Sequence, residues 1–286
     1  MRFYSPLRYP GGKRRLVKHI VRLFELNNYT EGKYIEPFAG GAGAALELLF
    51  KGYVESICIN DLDISIYSFW HSVLNHTEEL CKLIVDTPVT IEEWKKQKIV
   101  QENFEKVSLL ELGFSTFYLN RTNISGIIKG GVIGGYKQDK KNKIDARFNK
   151  KNLVYRIEKI ALYKNSIEIS NLCAKNLIEE YIGTQDMQCF IYLDPPYYCK
   201  GPELYKNHLT HEDHSQIATL VKSIQNHYWM VTYDNVKEIK EMYDGFRNAE
   251  YTLSYSAGKA TTGKEIMFFS NNLQLPYKDD KIEIIL

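Results

Sequence analysis

Two hundred eighty-six residues, 44% of them hydrophobic and 25% charged, make an ordinary globular composition in a chain long enough to bury a full core without a metal or disulfide staple. A collagen-like, disulfide-scaffold or largely disordered chain is excluded. The formal net charge is only +2, yet residues 1–24 hold seven Lys/Arg and no acid, and residues 113–156 hold ten Lys/Arg against two Asp/Glu. Two strongly basic stretches in a near-neutral chain fit either a polyanion contact or a solvated lysine-rich surface. The five cysteines (Cys58, Cys81, Cys173, Cys189 and Cys199) are odd in number and contain no C-x-x-C pair, which supports neither a zinc knuckle nor a disulfide framework. Cys58 and Cys189 sit in apolar runs and read as core. The basic N-terminus lacks the apolar stretch of a signal peptide, and no run approaches 18 apolar residues. No membrane span is expected, and a reducing cytoplasm is the expected location.

In chain order, short apolar runs rich in β-branched and aromatic residues predict strands at 34–38, 56–60, 166–170, 189–193, 228–233, 250–255 and 266–270. Helical patterns lie between them: 44–50 after the first run, 212–225 after the fourth and 236–243 after the fifth. The second of these helices opens with Thr210 and Asp213 in capping-box spacing. Alternating strands and helices predict an α/β fold with a mostly parallel, doubly wound sheet. The last two strands have no helix between them and read as an antiparallel hairpin at one edge. The alternation breaks between about 65 and 149. That stretch is helical and charged to about 112, then basic and glycine-rich, with Gly113, Gly126, Gly130, Gly131, Gly134 and Gly135 among the 18 glycines of the chain. It is too long for a normal loop. The expected organisation is therefore a first domain in two parts, 1–64 and 150–286, interrupted by an inserted, mainly helical domain at 65–149.

Three motifs carry chemistry. Tyr34-Ile35-Glu36-Pro37-Phe38-Ala39-Gly40-Gly41-Ala42-Gly43 is a strand, a glycine-rich turn and a helix start, where backbone can approach a ligand and the helix N-terminus attracts negative charge. The next strand ends in Asn60-Asp61, and a carboxylate there suits ribose hydroxyls. Together these point to a nucleoside-containing cofactor without choosing a nicotinamide dinucleotide over S-adenosylmethionine, and a tight turn in any α/β protein would look similar. The second motif is the apolar strand ending in Leu193-Asp194-Pro195-Pro196-Tyr197. Two prolines remove two N–H donors and fix the backbone. What remains is a carboxylate, outward carbonyls and an aromatic ring, a pocket matched to an amino group on a flat heterocycle, or else a rigid turn. The third, Arg8-Tyr9-Pro10-Gly11-Gly12-Lys13-Arg14, is not a nucleotide phosphate loop, because Arg14 stands where Ser or Thr is required.

In this order, the motifs resemble those of the D12 class of DNA adenine-N6 methyltransferases, the Dam-like family. Tyr9-Pro10-Gly11-Gly12-Lys13, Glu36-Pro37-Phe38-Ala39-Gly40-Gly41, Asp61, Phe117-Tyr118-Leu119-Asn120-Arg121 and Leu193-Asp194-Pro195-Pro196-Tyr197 carry the likeness over roughly residues 5–272. Their order is that of the α group, whose target-recognition domain would be 65–149. The resemblance implies a seven-stranded class I methyltransferase sheet, Rossmann-like with an antiparallel edge hairpin, and S-adenosylmethionine as cofactor. It implies cofactor contacts at Tyr9, Lys13, Glu36, Phe38, Gly40, Asp61 and Asp194, catalysis by Asp194, Pro195, Pro196 and Tyr197, and no metal. Double-stranded DNA is the implied partner, with a cognate restriction endonuclease alongside and a monomer or weak dimer as the working unit. The sequence departs from the family pattern in three places. The turn reads Gly40-Gly41-Ala42-Gly43. Asn171-Leu172-Cys173 stands where many relatives carry an acid for the cofactor adenine, a role Asn171 could take through its carbonyl. Arg121-Thr122-Asn123-Ile124-Ser125-Gly126 leads into Ile127-Ile128-Lys129-Gly130-Gly131, not into the arginine-bearing segment of GATC readers.

The basic stretch then acquires a role. Arg121, Lys129, Lys137, Lys140, Lys141, Lys143 and Arg147 can meet phosphates, and Asn123, Ser125 and Lys129 can meet base edges. Asn123 and Ser125 also fit a turn in which such residues cap the backbone. Tyr136 and Phe148 are either wedges into an unstacked site or core. His208, His211 and His214 fit no common zinc spacing and read as a solvent-facing helix start. Residues 202–209, with Tyr205, read as a loop over the base pocket. A cytosine-C5 transferase fits poorly, since that chemistry needs a cysteine nucleophile and the Pro-Cys pair it usually follows is absent. A cytosine-N4 or RNA amino methyltransferase, and a DNA-binding relative without activity, stay open as alternatives.

Overall fold

Strands with apolar residues at every position can only sit in a sheet covered on both faces. In the computed structural model, which describes residues 4–8, 16–199, 209–255 and 261–276, strands β1 (Lys33–Glu36), β2 (Ser56–Asn60), β3 (Ile167–Ser170), β4 (Cys189–Leu193), β5 (Tyr228–Asp234), β6 (Arg247–Tyr255) and β7 (Thr261–Phe269) form one sheet in the order β3-β2-β1-β4-β5-β7-β6. The first five strands are parallel. β7 runs antiparallel between β5 and β6 and closes the expected edge hairpin. β1 and β4 are buried along their whole length. The helices are α1 (Val17–Leu26), α2 (Gly43–Phe50), α3 (Ile64–Asn75), α4 (Thr77–Asp86), α5 (Ile91–Glu102), α6 (Leu109–Thr122), α7 (Lys150–Ala161), the short α8 (Ala174–Asn176), α9 (His211–Ser223) and α10 (Lys237–Met242). Among the described residues no helix is long and apolar enough to cross a membrane.

Alternation along each strand divides the core in two. Tyr34, Ile57, Phe190 and Tyr192 point into a cluster shared with α1–α7, while Ile35, Cys58, Ile191 and Leu193 point into one shared with α8–α10. The helices of residues 65–149 do not enclose a separate core. Phe69, Trp70, Val73, Phe117, Tyr118 and Phe148 are continuous with the sheet residues of the first cluster. The capping box at Thr210 forms as its spacing predicts, with Asp213 closing it. The same device starts α6, where Ser108 and Glu111 satisfy each other's backbone N–H.

Glycine content misled the reading of residues 113–122, which belong to α6 and not to a loop. Gly113 faces α3, and a Cβ there would lie 2.5 Å from both the Ser68 carbonyl oxygen and Ser72 Oγ. Its lack of a side chain lets α3 and α6 touch. Gly113→Ala is expected to cost about 1–3 kcal/mol by overpacking, read in denaturant or thermal unfolding. Gly183→Ala, where the added methyl meets nothing within 4 Å, is the matched control and should be near neutral.

Candidate active site

In an open α/β sheet, ligands bind beyond the carboxyl ends of strands where the strand order reverses. Here that point lies between β1 and β4, in parallel register with Ile35 opposite Ile191. The turn after β1 is held from three directions. Its Ala39 N–H donates to the Asn60 carbonyl (2.9 Å), Gly40 N–H donates to Asp61 Oδ2 (2.9 Å), and Trp70 Nε1 donates to the Gly40 carbonyl (2.9 Å). Gly40 and Ala42 both adopt positive φ, +47° and +46°. Glycine tolerates this and alanine does not favour it, so the strain at Ala42 is located where the turn delivers α2. Phe38 is partly buried against the second cluster.

Asn60, whose amide sequence reasoning passed over, joins three strand ends. It is 1% exposed. Its Nδ2 donates to the Pro37 and Leu172 carbonyls (2.9 Å each), and its Oδ1 accepts from Ser170 Oγ and Leu172 N–H (2.8 Å each). The signal was a polar residue closing a buried strand. Asp61 follows, accepting from Gly40 N–H on one oxygen and Asp63 N–H (2.9 Å) on the other. Each oxygen keeps a further lone pair. Asn171 Nδ2 donates to the Asp61 and Leu62 carbonyls, leaving its Oδ1 as acceptor. Cys173 caps α8, its Sγ accepting from Asn176 N–H and donating to Asn176 Oδ1.

Across the crevice, Asp194 Oδ1 accepts from Thr232 Oγ1 (2.9 Å), and Thr232 Oγ1 lies 3.0 Å from the Tyr192 hydroxyl. Thr232 has one proton, given to Asp194, so Tyr192 donates to Thr232. Two residues further along β5, Asp234 accepts the N–H groups of Tyr198 and Cys199 (2.9 Å each), clamping the chain after Asp194-Pro195-Pro196-Tyr197. Neither Thr232 nor Asp234 was singled out from sequence. The available signal was two polar residues on one face of an apolar run. Burial, with Asp194 as the next contributor, holds the Tyr197 phenol far above its ordinary range, so it stays neutral.

Three carboxyls thus gather at one rim. Burial pushes Glu36 up to about 8, against the hydrogen bonds it receives from the Tyr34 hydroxyl and Ala45 N–H. Burial also pushes Asp61 up to about 7. Groups raised by desolvation are those that a cation or hydroxyl donors restore to their charged form. S-adenosylmethionine brings both, a sulfonium and ribose hydroxyls, so the residues present fit it. Tyr9 and Lys13, the other expected cofactor contacts, lie outside the described residues, as do Tyr205 and His208. Among the described residues no group of three His, Cys, Asp or Glu is placed to hold a metal.

The expected DNA contacts divide. Lys129, Lys137, Lys140, Lys141, Lys143 and Arg147 are exposed. Asn123 is corrected: it is fully buried, its Oδ1 accepting from Trp94 Nε1 (2.6 Å) and its Nδ2 donating to the Ile127 and Ile128 carbonyls. Reading a base edge would break all three bonds. Ser125 is a half-buried turn residue with φ +56°, and Arg121 is buried at the end of α6. Phe148 is core, against Phe117 and Tyr118, whereas Tyr136 is 67% exposed beside Trp94. His214 is also corrected. It faces inward, 1% exposed, with Nδ1 2.9 Å from the Tyr233 hydroxyl, and burial lowers it to about 4. His211 is exposed and bonds the Tyr198 hydroxyl (3.0 Å).

A seven-stranded sheet of this order, with a glycine-rich turn after β1 and an acid after β2, defines a class I S-adenosylmethionine-dependent methyltransferase with a Rossmann-like fold. The chain belongs to the D12 class of N6 adenine-specific DNA methyltransferases, whose family model matches residues 9–256. It is 26% identical over 207 residues to the Type II methyltransferase M.MjaIII of Methanocaldococcus jannaschii, covering 67% of this chain and 68% of that one. It is 22% identical over 251 residues to the Type II methyltransferase M.CviBI of Paramecium bursaria Chlorella virus NC1A, covering 87% and 90%. Among solved structures, the rRNA methyltransferase aviRa of Streptomyces viridochromogenes matches with a TM-score of 0.39 and 12% identity over 92% of this chain and 86% of that one.

Two outcomes follow. Thr232→Val keeps the shape of the side chain and removes the bond to Asp194. It should lower kcat about tenfold with KM little changed, and Thr232→Ser should restore it. Equal loss in both variants would dissociate the hydroxyl from the effect. Separately, cofactor binding that ionises Asp61 must release a proton where the free group is protonated. Affinity should be constant above about pH 8 and weaken as pH falls through about 7, by up to about tenfold per unit below. Calorimetry in buffers of different ionisation enthalpy reads both the affinity and the proton.

Proposed function

We propose that this D12-class methyltransferase acts on an adenine flipped out of duplex DNA, and that Asp194, Pro195, Pro196 and Tyr197 receive it. S-adenosylmethionine supplies an electrophilic methyl group when bound, held by Tyr9, Lys13, Glu36, Phe38, Gly40 and Asp61 with Asp194 nearby. The exocyclic nitrogen of adenine is a poor nucleophile, because its lone pair is delocalised into the ring. Asp194 and the Pro195 carbonyl accept hydrogen bonds from that amino group, drawing the nitrogen towards a tetrahedral form with a localised lone pair. Alignment at the crevice supplies much of the acceleration. Asp194 stabilises the positive charge that develops on the nitrogen. The amine loses its proton late, so no base need be deprotonated beforehand. Tyr197 stacks on the base, which must leave the duplex to be reached.

The observation that carries this reading is the Asp194 carboxylate, oriented by Thr232 at the switch point opposite the glycine-rich turn. Residues 65–149 form the target-recognition segment in this reading. Lys129, Lys137, Lys140, Lys141 and Arg147 contact phosphates from its exposed surface, joined by Arg121, with Ser125 and Lys129 nearest the bases. In the same reading a cognate restriction endonuclease accompanies the chain, which acts in the cytoplasm as a monomer or weak dimer.

Asp194→Ala should lower methyl transfer to duplex DNA by about a thousandfold with cofactor affinity within a few-fold of wild type. Transfer near the wild-type rate would remove Asp194 from the chemistry. Mapping N6-methyladenine in genomic DNA from cells expressing the wild-type chain gives the target site, and that signal should vanish with the variant.

A further inference from the structure

Where residues 4–8 cross the end of α6, positive charge is buried with no counterion among the described residues. Arg121, in the last turn of α6, is 8% exposed. Its Nε is buried with no hydrogen-bond partner, and so is Nε of Arg156 on α7. The surroundings are built. Asn120 holds the Arg8 backbone at both ends, accepting its N–H (2.7 Å) and donating to its carbonyl (2.7 Å). Arg8 Nη1 donates to the Asn123 carbonyl (3.0 Å), and Arg156 Nη1 donates to the Ser5 carbonyl (2.9 Å). Gly126 seals one side, since a Cβ there would lie 2.4 Å from the Arg8 carbonyl oxygen. Burial first, then the like charges of Arg156, Arg8 and Arg147, lower the Arg121 guanidinium to about 9, with no carboxylate of the described residues acting on it. Arg8 is lowered by burial and then by Arg147.

A buried guanidinium left unpaired destabilises a fold, and an apolar side chain of similar length would serve packing better. The cluster makes physical sense when an anion with several acceptor oxygens completes it. Guanidinium forks match phosphate bidentately, which a lysine ammonium cannot do. Arg147 is exposed and acts on Arg121 as a like charge, and Lys137, Lys140 and Lys141, close by in sequence, are exposed as well, so Arg147 links the cluster to the basic stretch proposed above for DNA.

We propose that Arg8, Arg121, Arg147 and Arg156 form a single pocket for one backbone phosphate of the substrate DNA. This rests on the DNA-methyltransferase reading and adds to it one site of fixed stoichiometry, in which DNA binding relieves a cost carried by the free protein. The neighbouring lysines contribute solvated, replaceable charge. The pocket contributes one desolvated contact, made only when a strand is seated in register.

The test uses the full chain as wild type, Arg121→Met and Arg147→Gln. Melting temperature is read in chloride and in inorganic phosphate at equal ionic strength, DNA affinity against salt, and S-adenosylmethionine affinity. Phosphate should raise the melting temperature of wild type but not of Arg121→Met, which should itself melt higher than wild type in chloride. Its DNA Kd should rise about ten- to a hundredfold, and the slope of log affinity against log salt should flatten by about one. Arg147→Gln, at an exposed position, should leave melting in chloride unchanged and weaken DNA binding in the same direction. Wild type that binds DNA while both variants bind it equally well, with the same slope, overturns the pocket alone. So does a phosphate response kept by Arg121→Met, or a loss confined to S-adenosylmethionine affinity. Wild type that is stabilised by phosphate yet binds no DNA overturns the DNA reading instead, leaving a site for free phosphate.

Discussion

The parallel pairing of β1 with β4 is the constraint on which the rest of the site depends. It reverses the strand order, so the chain leaves β1 and β4 in opposite directions and opens a crevice between their turns. It also fixes which side chains reach each face. Tyr34 and Phe190 stack with ring centroids 6.2 Å apart in one core, while Ile35 and Ile191 pair in the other. A slip of one residue would exchange these faces. The aromatic core could not accept the aliphatic one without voids, so the register is over-determined, and with it the placement of Glu36 and Asp194 at neighbouring strand ends.

That placement concentrates acidity in a region of low dielectric. Asp194 contributes to the upward shifts of Glu36, Tyr34 and Tyr192, so the ends of β1 and β4 share one electrostatic environment. Hydroxyls line the interior side: Tyr34 on Glu36, Thr232 and Tyr192 behind Asp194, and Tyr251 on the buried Glu265. A carboxylate fed by oriented hydroxyls is held in one geometry, which is the preorganisation that the proposed chemistry, with positive charge developing on a nitrogen, would draw on. Asp234 performs the matching task on the backbone, fixing the chain after Tyr197 through two N–H groups.

How much of this was legible in the sequence depended on whether the signal was local. Buried parallel strands announce themselves as continuous apolar runs, and the five parallel strands match their expected positions to within two residues at both ends. The exceptions are β6 and β7, which start earlier, at Arg247 and Thr261, because polar residues at those starts also join the antiparallel pairing. The capping box at Thr210 is equally local. Asn123 left two readings open, of which the structure takes the backbone-capping one, and His214 was misread, because residue type alone does not say which way a side chain faces. Asn123 faces Trp94, 29 residues away in sequence, and His214 faces Tyr233. Gly113 looked like loop because glycine is a poor helix former, but the close approach of α3 outweighed propensity. Thr232 and Asp234 matter only relative to β4, and strand neighbours are not written in either strand.

The same contrast separates the two kinds of basic residue in the chain. Counting Lys and Arg marks the stretch at 113–156 but does not rank its members, because formal charge ignores desolvation. Lys137, Lys140 and Lys141 keep their hydration, and their attraction to a polyanion is long-ranged, screened and indifferent to position. Arg121 has already lost its water, so its interaction with an anion is short-ranged, directional and little screened. In the proposed reading the first kind sets how fast and how firmly a polyanion is gathered, and the second sets which arrangement of it is accepted. Arg121 follows directly on Asn120, which fixes the Arg8 backbone, so one turn of α6 holds both the buried guanidinium and the N-terminal segment that brings Arg8 beside it.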